Sequence, residues 1–289
     1  MGNISAEAVA AELLARCLRD EPAAPALIDE LTTMANGAGE GPALEASQAL
    51  FRGLVEPLAD RFERRLVDAY VSLFSRVIAR ACPEWDAAEL AARYERVRRF
   101  RRFDHGPAMP DAVYVLSRVT LGADVAITSV VLDAAKKRFP GAEIYFVGAP
   151  KAFDLFAADR RIRHLPATYG RTATLRERLA AGLILREALD SPGAIVIDPD
   201  SRLSQLGLLP LCREETYFFF QTPANRGEGH QSQGRRTKRW VAAVFGVADA
   251  APYIAPGSGS GEAPGAIAVS LGVGENPGKR VADPFEGRL

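Results

Sequence analysis

The hydrophobic positions of the chain follow two different periods. Between residues 6 and 102, apolar residues recur three or four positions apart, as at Leu13 and Cys17, which is the spacing of one helix face. The pattern is interrupted at prolines and at a glycine-rich stretch, 36–42. It predicts four or five helices and no strand, so we interpret residues 1–108 as an all-helical N-terminal domain.

After residue 108 short β-rich runs alternate with amphipathic stretches. The predicted strands are 113–117, 143–147, 163–165, 194–197 and 216–220, and the predicted long helices are 124–139 and 173–189. Strands that alternate with helices pair in parallel through right-handed crossovers. The predicted fold class is therefore α/β, with a Rossmann-like parallel sheet over residues 109–250 behind the helical domain.

The third part of the chain, 251–289, is predicted to be a linker followed by the start of another domain. A Gly-, Ser- and Pro-rich stretch, 255–261, has the composition of a flexible connection. It precedes one apolar run, 266–271, and a glycine-bearing loop, 272–279. One strand and one loop bury no core of their own, so we expect most of this last domain to be missing.

Composition narrows the functional classes. Lys plus Arg and Asp plus Glu both number 36, so net charge gives no bias toward nucleic acid. The three cysteines, Cys17, Cys82 and Cys212, are far apart and have no metal-ligand spacing, as is typical of reduced thiols. There is no signal peptide or membrane-spanning apolar run. We expect a cytoplasmic protein that binds no metal, cofactor or nucleic acid.

The loop after the first predicted strand carries a family resemblance. Its sequence is Ser117-Arg118-Val119-Thr120-Leu121-Gly122-Ala123-Asp124-Val125, and it leads into a helix that ends in Arg138-Phe139-Pro140. Together with Ile197-Asp198, with 268–272 and with Lys279-Arg280, this resembles glycosyltransferase family 9, the heptosyltransferases. The resemblance covers about residues 113–285. It implies one half of a GT-B fold, with residues 109–250 as the acceptor domain and the donor domain truncated.

The resemblance implies an inverting, metal-independent transfer of a sugar from a nucleotide sugar to a glycan or lipopolysaccharide-type acceptor. Asp124 matches the family's general base, which deprotonates the acceptor hydroxyl. This sequence departs from the family at Ala123, which separates Gly122 from Asp124; an extra residue here can turn the carboxylate away from the cleft. The alternative is that Asp124 only caps the helix.

The acceptor is expected to contact loops at the carboxyl ends of the strands. The residues expected to line its cleft are Arg118, Thr120, Gly122, Asp198 and Arg202. The sequence Asp198-Pro199-Asp200 also matches a short metal-binding pattern, which we consider the weaker interpretation; Asp200 or Ser201 serves equally well as a helix cap.

The last loop is expected to hold the donor diphosphate through small residues, backbone N–H groups and cations. Its candidate residues are Gly272, Gly274, Asn276, Lys279 and Arg280.

Two polar segments allow both functional and structural interpretations. Six arginines lie between residues 93 and 102; they suit acidic lipid headgroups or a phosphorylated acceptor, but a solvated helix paired with acids is the favoured interpretation. The glycine-rich segment 225–240 ends in a basic helix and is placed to touch a negatively charged acceptor.

The sequence supports two candidate functions. The first is sugar transfer, with a nucleotide-sugar donor, a glycan or glycolipid acceptor and peripheral contact with the inner face of the membrane. The second is a non-catalytic interaction protein built on a degenerate glycosyltransferase half. A dinucleotide-dependent oxidoreductase is disfavoured because no strand is followed by Gly-x-Gly-x-x-Gly.

Overall fold

The computed structural model describes residues 4–22, 24–37, 39–61, 63–104, 109–167, 173–222 and 231–257. The chain divides into two units, Met1–Gly257 and Ser258–Leu289, and every described residue belongs to the first. The predicted strand 266–271 and the loop after it lie outside the described residues. No helix in the described part of the chain is both long and apolar enough to cross a bilayer.

Helices joined by loops form the N-terminal part, and its described residues contain no strand, as predicted. Its helices are α1 (Ala6–Leu18), α2 (Pro25–Ala35), α3 (Glu40–Gln48), α4 (Glu56–Ala59), α5 (Arg64–Ala81) and α6 (Ala87–Val97). A π-helical segment, Ala49–Val55, joins α3 to α4. Side chains cap two of the helices: the Ser5 hydroxyl accepts a hydrogen bond from Ala8 N–H, and Asp86 accepts one from Glu89 N–H.

A five-stranded parallel sheet follows, which confirms the α/β class and the Rossmann-like arrangement. The strands are β1 (Ala112–Leu116), β2 (Glu143–Gly148), β3 (Ile162–Pro166), β4 (Ala194–Asp198) and β5 (Tyr217–Phe219). Their order in the sheet is β3-β2-β1-β4-β5. Val113 of β1 lies opposite Ile144 of β2 and Ile195 of β4. Each predicted strand is present within two residues of its expected ends.

The helices of this second part are α7 (Leu121–Ala123), α8 (Ser129–Arg138), α9 (Pro150–Phe153), α10 (Leu175–Leu189) and α11 (Gln233–Phe245). The helix predicted from residue 124 is therefore divided, because a π-helical segment, Asp124–Thr128, separates α7 from α8. Such a segment absorbs an additional residue within a helix. The long helix expected from residue 173 begins at Leu175, behind a capping box formed by Thr174 and Glu177.

Helices from different parts of the chain cover the two faces of the sheet. Val113 and Val115 of β1 face α8 and α11, whereas Leu116 belongs to a hydrophobic cluster shared with α1–α6 and α10. Alternate strand residues point to opposite faces, so each face acquires its own core. The connection from β4 to β5 contains only two 3₁₀ turns, Arg202–Ser204 and Glu214–Thr216, and helices of the N-terminal part cover it.

The first residues of the predicted linker are packed rather than free. Ala255 N–H donates to Leu155 O over 2.7 Å, and Ala158 N–H donates to Ala255 O over 2.8 Å. The ring of Tyr253 lies 4.0 Å from Lys136 Nζ, and its hydroxyl donates to Asp159. Residues 251–257 are thus part of the folded unit, a fact that their composition did not indicate.

Candidate functional site

The order of the strands defines the place where a ligand is expected. From β1 the chain adds β2 and β3 on one side, and it later adds β4 and β5 on the other. In open parallel sheets, ligands bind outside the carboxyl ends of the strands where this reversal occurs. In this chain that point lies between the loops that follow β1 and β4, which contain Arg118, Asp124 and Asp200.

Asp124 organises the loop after β1 from the inside. Its Oδ1 accepts hydrogen bonds from Arg118 N–H (2.8 Å) and Thr128 Oγ1 (2.7 Å), and its Oδ2 accepts one from Ser117 Oγ (2.8 Å). The residue is 0 % exposed. Burial raises the pKa of the Asp124 carboxyl, while these three hydrogen bonds act to lower it.

This position excludes one of the two roles considered for Asp124, that of a helix cap. The residue does not cap the helix, because Thr120 stands at the N-cap of α7 and Asp124 begins the π-helical segment. The carboxylate is turned into the protein, and in this conformation its hydrogen-bonding partners are protein groups. The role of general base stays a prediction that the static geometry leaves untested.

The surface of the same loop is open to solvent. Val119 and Leu121 are 41 % and 44 % exposed, and Thr120 and Gly122 are exposed as well. A Cβ added at Gly122 would meet no atom within 4 Å, so a ligand can approach this backbone closely. Thr120 and Gly122 are thus accessible, as their predicted contact with an acceptor requires.

Two residues at this edge of the sheet have left-handed backbone conformations. Val119 has a φ of 69° and Asp200 a φ of 67°. For a β-branched residue such as Val119 this conformation is strained, at a cost of about 1–3 kcal/mol, and strain of this kind concentrates at functional sites. Val119 follows β1 and Asp200 follows β4, so the strain lies on both sides of the switch point.

Arg118 connects the loops that follow three strands. Its Nη1 donates to Thr222 Oγ1 (2.7 Å) and Pro199 O (3.0 Å), and it lies 3.4 Å from Asp200 Oδ2. Its Nε is buried and has no hydrogen-bond partner among the described residues. The side chain keeps 14 % exposure, so part of this cation is accessible at the site predicted for the acceptor.

Asp198 lies beneath the surface. It is 0 % exposed and accepts hydrogen bonds from Tyr217 Oη (2.5 Å) and Ser201 N–H (2.6 Å). Burial raises the pKa of its carboxyl to about 6, and hydrogen bonds from Ser204, Tyr217 and Ser201 oppose that rise. The expectation that Asp198 lines an open cleft is therefore not met in this conformation.

The neighbouring residues of this loop also have structural partners. Ser201 caps the 3₁₀ turn Arg202–Ser204 by accepting a hydrogen bond from Leu203 N–H. This confirms one of the two residues predicted as a cap in this loop. Arg202 forms ion pairs with Glu56 (2.9 Å) and Asp60 (3.2 Å) at α4, so its guanidinium is directed to the N-terminal helices. Asp200 lies beside Arg118, and the described residues contain no group of three or more potential metal ligands.

The arginine-rich segment 93–102 serves mainly internal contacts. Arg93 donates to Gly207 O, Arg96 pairs with Glu89 and Glu214, and Arg98 pairs with Asp68 and Glu95. Arg101 donates to the backbone oxygens of Glu214 and Tyr217. These contacts support the interpretation of a paired, solvated helix end, while Phe100 remains 61 % exposed.

Several predicted residues lie outside the described part of the chain. They are Gly272, Gly274, Asn276, Lys279 and Arg280, the candidates for the donor phosphates, and residues 225–230 of the polar loop. The described remainder of that loop forms the start of α11, where Ser232 accepts a hydrogen bond from Arg235 N–H and Arg236 is buried.

Sequence reasoning missed Thr222, Gln221 and Tyr94. Thr222 follows β5, and the rule that singled out the ends of β1 and β4 applies equally to it. Gln221 Nε2 donates to Tyr94 Oη over 2.7 Å. Tyr94 gave no signal, because it belongs to a helix 127 residues away from its partner.

Comparisons of the chain with protein-family models, with curated proteins and with solved structures find no match.

Proposed function

We propose that this chain takes part in sugar transfer from a nucleotide sugar to a glycan or lipopolysaccharide-type acceptor, and that its parallel sheet provides the acceptor side. The observation that carries the proposal is the convergence of three strand-end loops on Arg118, at the switch point of the sheet. The resemblance of residues 117–140 to family 9 glycosyltransferases supports the choice of reaction.

The chemistry assigned to the site uses the chain's own residues. The exposed backbone of Thr120 and Gly122 and the accessible part of Arg118 would bind a hydroxylated, anionic acceptor through hydrogen bonds and charge. The donor diphosphate would be bound by the segment 272–280. Transfer is proposed to proceed with inversion and without a metal ion.

The role of Asp124 in this proposal makes a specific demand. To accept a proton from the acceptor hydroxyl, its carboxylate must lose the hydrogen bond from Ser117 and become accessible between β1 and α7. We therefore propose Asp124 as the base of a conformation in which residues 119–123 have moved. A base of this kind contributes about 10²- to 10⁴-fold to the rate.

The test combines binding and turnover on the full chain. Calorimetric titration with UDP-glucose and ADP-glucose in EDTA measures donor binding, and a radiolabel transfer assay to short-core lipopolysaccharide measures the reaction. Metal-independent binding and transfer would support the proposal. If neither nucleotide sugar binds and no label is transferred, with or without manganese, sugar transfer is excluded for these substrates.

Two variants separate a base from a structural carboxylate. Asp124→Asn should lower turnover at least 100-fold, whereas Ser117→Ala, which removes one partner of the carboxylate but keeps the charge, should retain most of it. Equal losses in both variants, together with equal losses of thermal stability, would show that Asp124 acts only by ordering the loop.

A non-catalytic interaction protein is the second candidate, and one observation favours it. Asp124, Asp198 and Arg202, three of the polar residues expected to line the cleft, have partners within the protein. If these three groups keep their internal partners, the surface of the loops can bind a partner without performing chemistry on it. Absence of nucleotide-sugar binding, combined with unchanged folding of Asp124→Asn, would favour this candidate.

Peripheral contact with an acidic membrane belongs to the first proposal. Phe100 projects from the surface beside Arg99 and Arg102, which are exposed. Each such cation contributes about 1 kcal/mol to binding at an anionic lipid surface. Cosedimentation with phosphatidylserine vesicles should therefore weaken in an Arg99→Glu/Arg102→Glu variant, and it should be unaffected in Arg52→Glu, on another helix.

A further inference from the structure

Helix α6 of the N-terminal part reaches the strand-end loops of the sheet. Tyr94 is 1 % exposed, and its ring packs edge-on against Phe219 of β5 at a centroid distance of 5.7 Å. Its hydroxyl accepts the hydrogen bond from Gln221 Nε2, which is also buried. One side chain of α6 thereby fixes two positions at the carboxyl end of β5.

The residue that Tyr94 holds is adjacent in the chain to a hydrogen-bonding partner of Arg118. Gln221 is followed by Thr222, which is 0 % exposed and whose Oγ1 accepts the 2.7 Å hydrogen bond from Arg118 Nη1. The backbone of residues 219–222 leaves little freedom between these contacts, because Phe220 N–H also donates to Asp198 O. The Tyr94–Gln221 hydrogen bond therefore holds the residue that precedes Thr222, while Thr222 itself also hydrogen-bonds to the Asp200 carboxylate.

Tyr94 is enclosed and has no room beside it for a ligand. The space beside its hydroxyl is a cavity of about 20 Å³, lined among others by Tyr70, Asp200 and Gln221. This volume is sufficient for one water molecule and for no larger group. Any influence of Tyr94 on ligand binding therefore passes through the residues it holds.

We propose that Tyr94 is a positioning residue for the ligand site: its hydroxyl holds Gln221 and thereby Thr222, which together with Pro199 and Asp200 sets the direction of the Arg118 side chain. This inference rests on the proposed function for its effect on the reaction, but the geometric effect on Arg118 does not require that function. It also gives the N-terminal helices a part in the site beyond covering the sheet.

Tyr70 provides a matched control. It is likewise 1 % exposed and lines the same cavity, and its hydroxyl donates to Gln205 O over 2.7 Å. Gln205 belongs to the connection between β4 and β5, not to the residues that bind Arg118. Tyr70→Phe and Tyr94→Phe thus each delete one buried hydroxyl that contacts the sheet part of the chain.

The experiment compares the two variants in the full chain by NMR of arginine Nε–H groups, with the Arg118 signal assigned from Arg118→Lys. Tyr94→Phe should shift the Arg118 Nε–H signal, because Gln221 loses its partner and the environment of the guanidinium changes when Thr222 moves. Tyr70→Phe should leave that signal in place although it lowers the melting temperature. Unchanged Arg118 signals in Tyr94→Phe, or equal changes in both variants, would overturn the proposal.

A second measurement connects the network to the reaction. In the transfer assay, Tyr94→Phe should raise the KM for short-core lipopolysaccharide about fivefold with little change in kcat, and Tyr70→Phe should change neither. If the wild-type chain transfers no sugar, the proposed function fails while the NMR comparison still decides the positioning role. A Tyr94→Phe variant with altered Arg118 signals but normal KM would limit the role to structure and overturn its part in binding.

Discussion

The two faces of the sheet are covered in different ways. One face packs against α8 and α11, which directly follow β1 and β5 in the chain. The other packs against α10 and against helices that precede the sheet; Tyr70 and Arg93 reach the connection between β4 and β5, and Tyr94 reaches Gln221 after β5. Where the usual crossover helix is absent, the N-terminal helices occupy its place.

The difference shows that the helical part is a component of the sheet's core. Phe74 and Leu50 share one buried cluster with Val196 and Phe219. Burial of such apolar surface stabilises a fold by about 25 cal/mol per Å². A module that only recruits partners does not need to contribute to its neighbour's core, so this packing favours a structural role for α1–α6.

The largest effect is expected from removing the N-terminal helices. A chain that begins at residue 109 would expose the part of the sheet face beneath them that α10 does not cover, and it should lose cooperative thermal unfolding and its near-ultraviolet circular dichroism. Calorimetry of the truncated chain beside the full chain measures this. A truncated chain that melts cooperatively would show that the two faces are not equally required.

Substitution of one glycine on each side of the sheet compares how tightly the two sides are packed. Gly207, on the N-terminal-helix side, has a φ of 90°, and an added Cβ would lie 2.6 Å from the Phe219 ring. Gly207→Ala should cost about 2–4 kcal/mol of unfolding free energy through strain and overlap. Gly246, after α11, has a φ of 75° and no atom within 4 Å of an added Cβ, so Gly246→Ala should cost only about 1 kcal/mol. Urea denaturation measures both, and equal losses would contradict the comparison.

We expect the free energy of unfolding to depend on pH because of the buried Asp198 carboxyl. Because its pKa is raised to about 6 in the folded state, the folded protein holds this proton more tightly than the unfolded chain does. Its contribution to stability is therefore present at low pH and is lost as pH rises through about 6. The full change is about 2–3 kcal/mol.

The measurement is urea denaturation of wild type and Asp198→Asn at pH 4.5, 5.5, 6.5 and 7.5. The stability of wild type relative to the variant should fall across this series and then become constant. A difference that stays the same at all four pH values would mean that Asp198 is ionised throughout.

The smallest effect is expected at Arg202. Its ion pairs with Glu56 and Asp60 connect the two parts of the chain, but the three side chains are 27 %, 37 % and 66 % exposed. Partly exposed pairs of this kind contribute about 0.2–1 kcal/mol. A double-mutant cycle with Arg202→Ala and Glu56→Ala should give a coupling free energy in this range that weakens in salt. A coupling above about 2 kcal/mol would make these ion pairs a main link between the parts.

The fold was predictable to the extent that it depends on local periodicity. The change of period after residue 108 located all five strands, because strand and helix patterns differ within a few residues. The covering of the second face was not predictable, since Tyr94 and Gln221 are 127 residues apart and no local pattern joins them. The resemblance to a known family also stopped short of the helices that complete the core.

The candidate site was also only partly predictable from the sequence, because it depends on the directions of single side chains. The strand-end rule directed attention to Arg118 and Gly122, which are accessible at the switch point; their contact with an acceptor stays a prediction. It did not predict that Asp198 turns inward, because sequence gives the residue type but not the direction of the side chain. At Asp124 the additional residue, Ala123, had indicated that the carboxylate can turn away from the cleft, whereas the π-helical segment that begins at Asp124 was not predicted.

The contact between Tyr70 and Gln205 spans 135 residues, and this has a consequence during synthesis on the ribosome. At about 5–20 residues per second, the N-terminal helices emerge on the order of ten seconds before the segment that they cover. During this interval Phe74 and its neighbours have no sheet to pack against. A nascent chain arrested near residue 190 should therefore bind the chaperones that recognise exposed apolar surface, and a chain arrested well beyond residue 257 should release them.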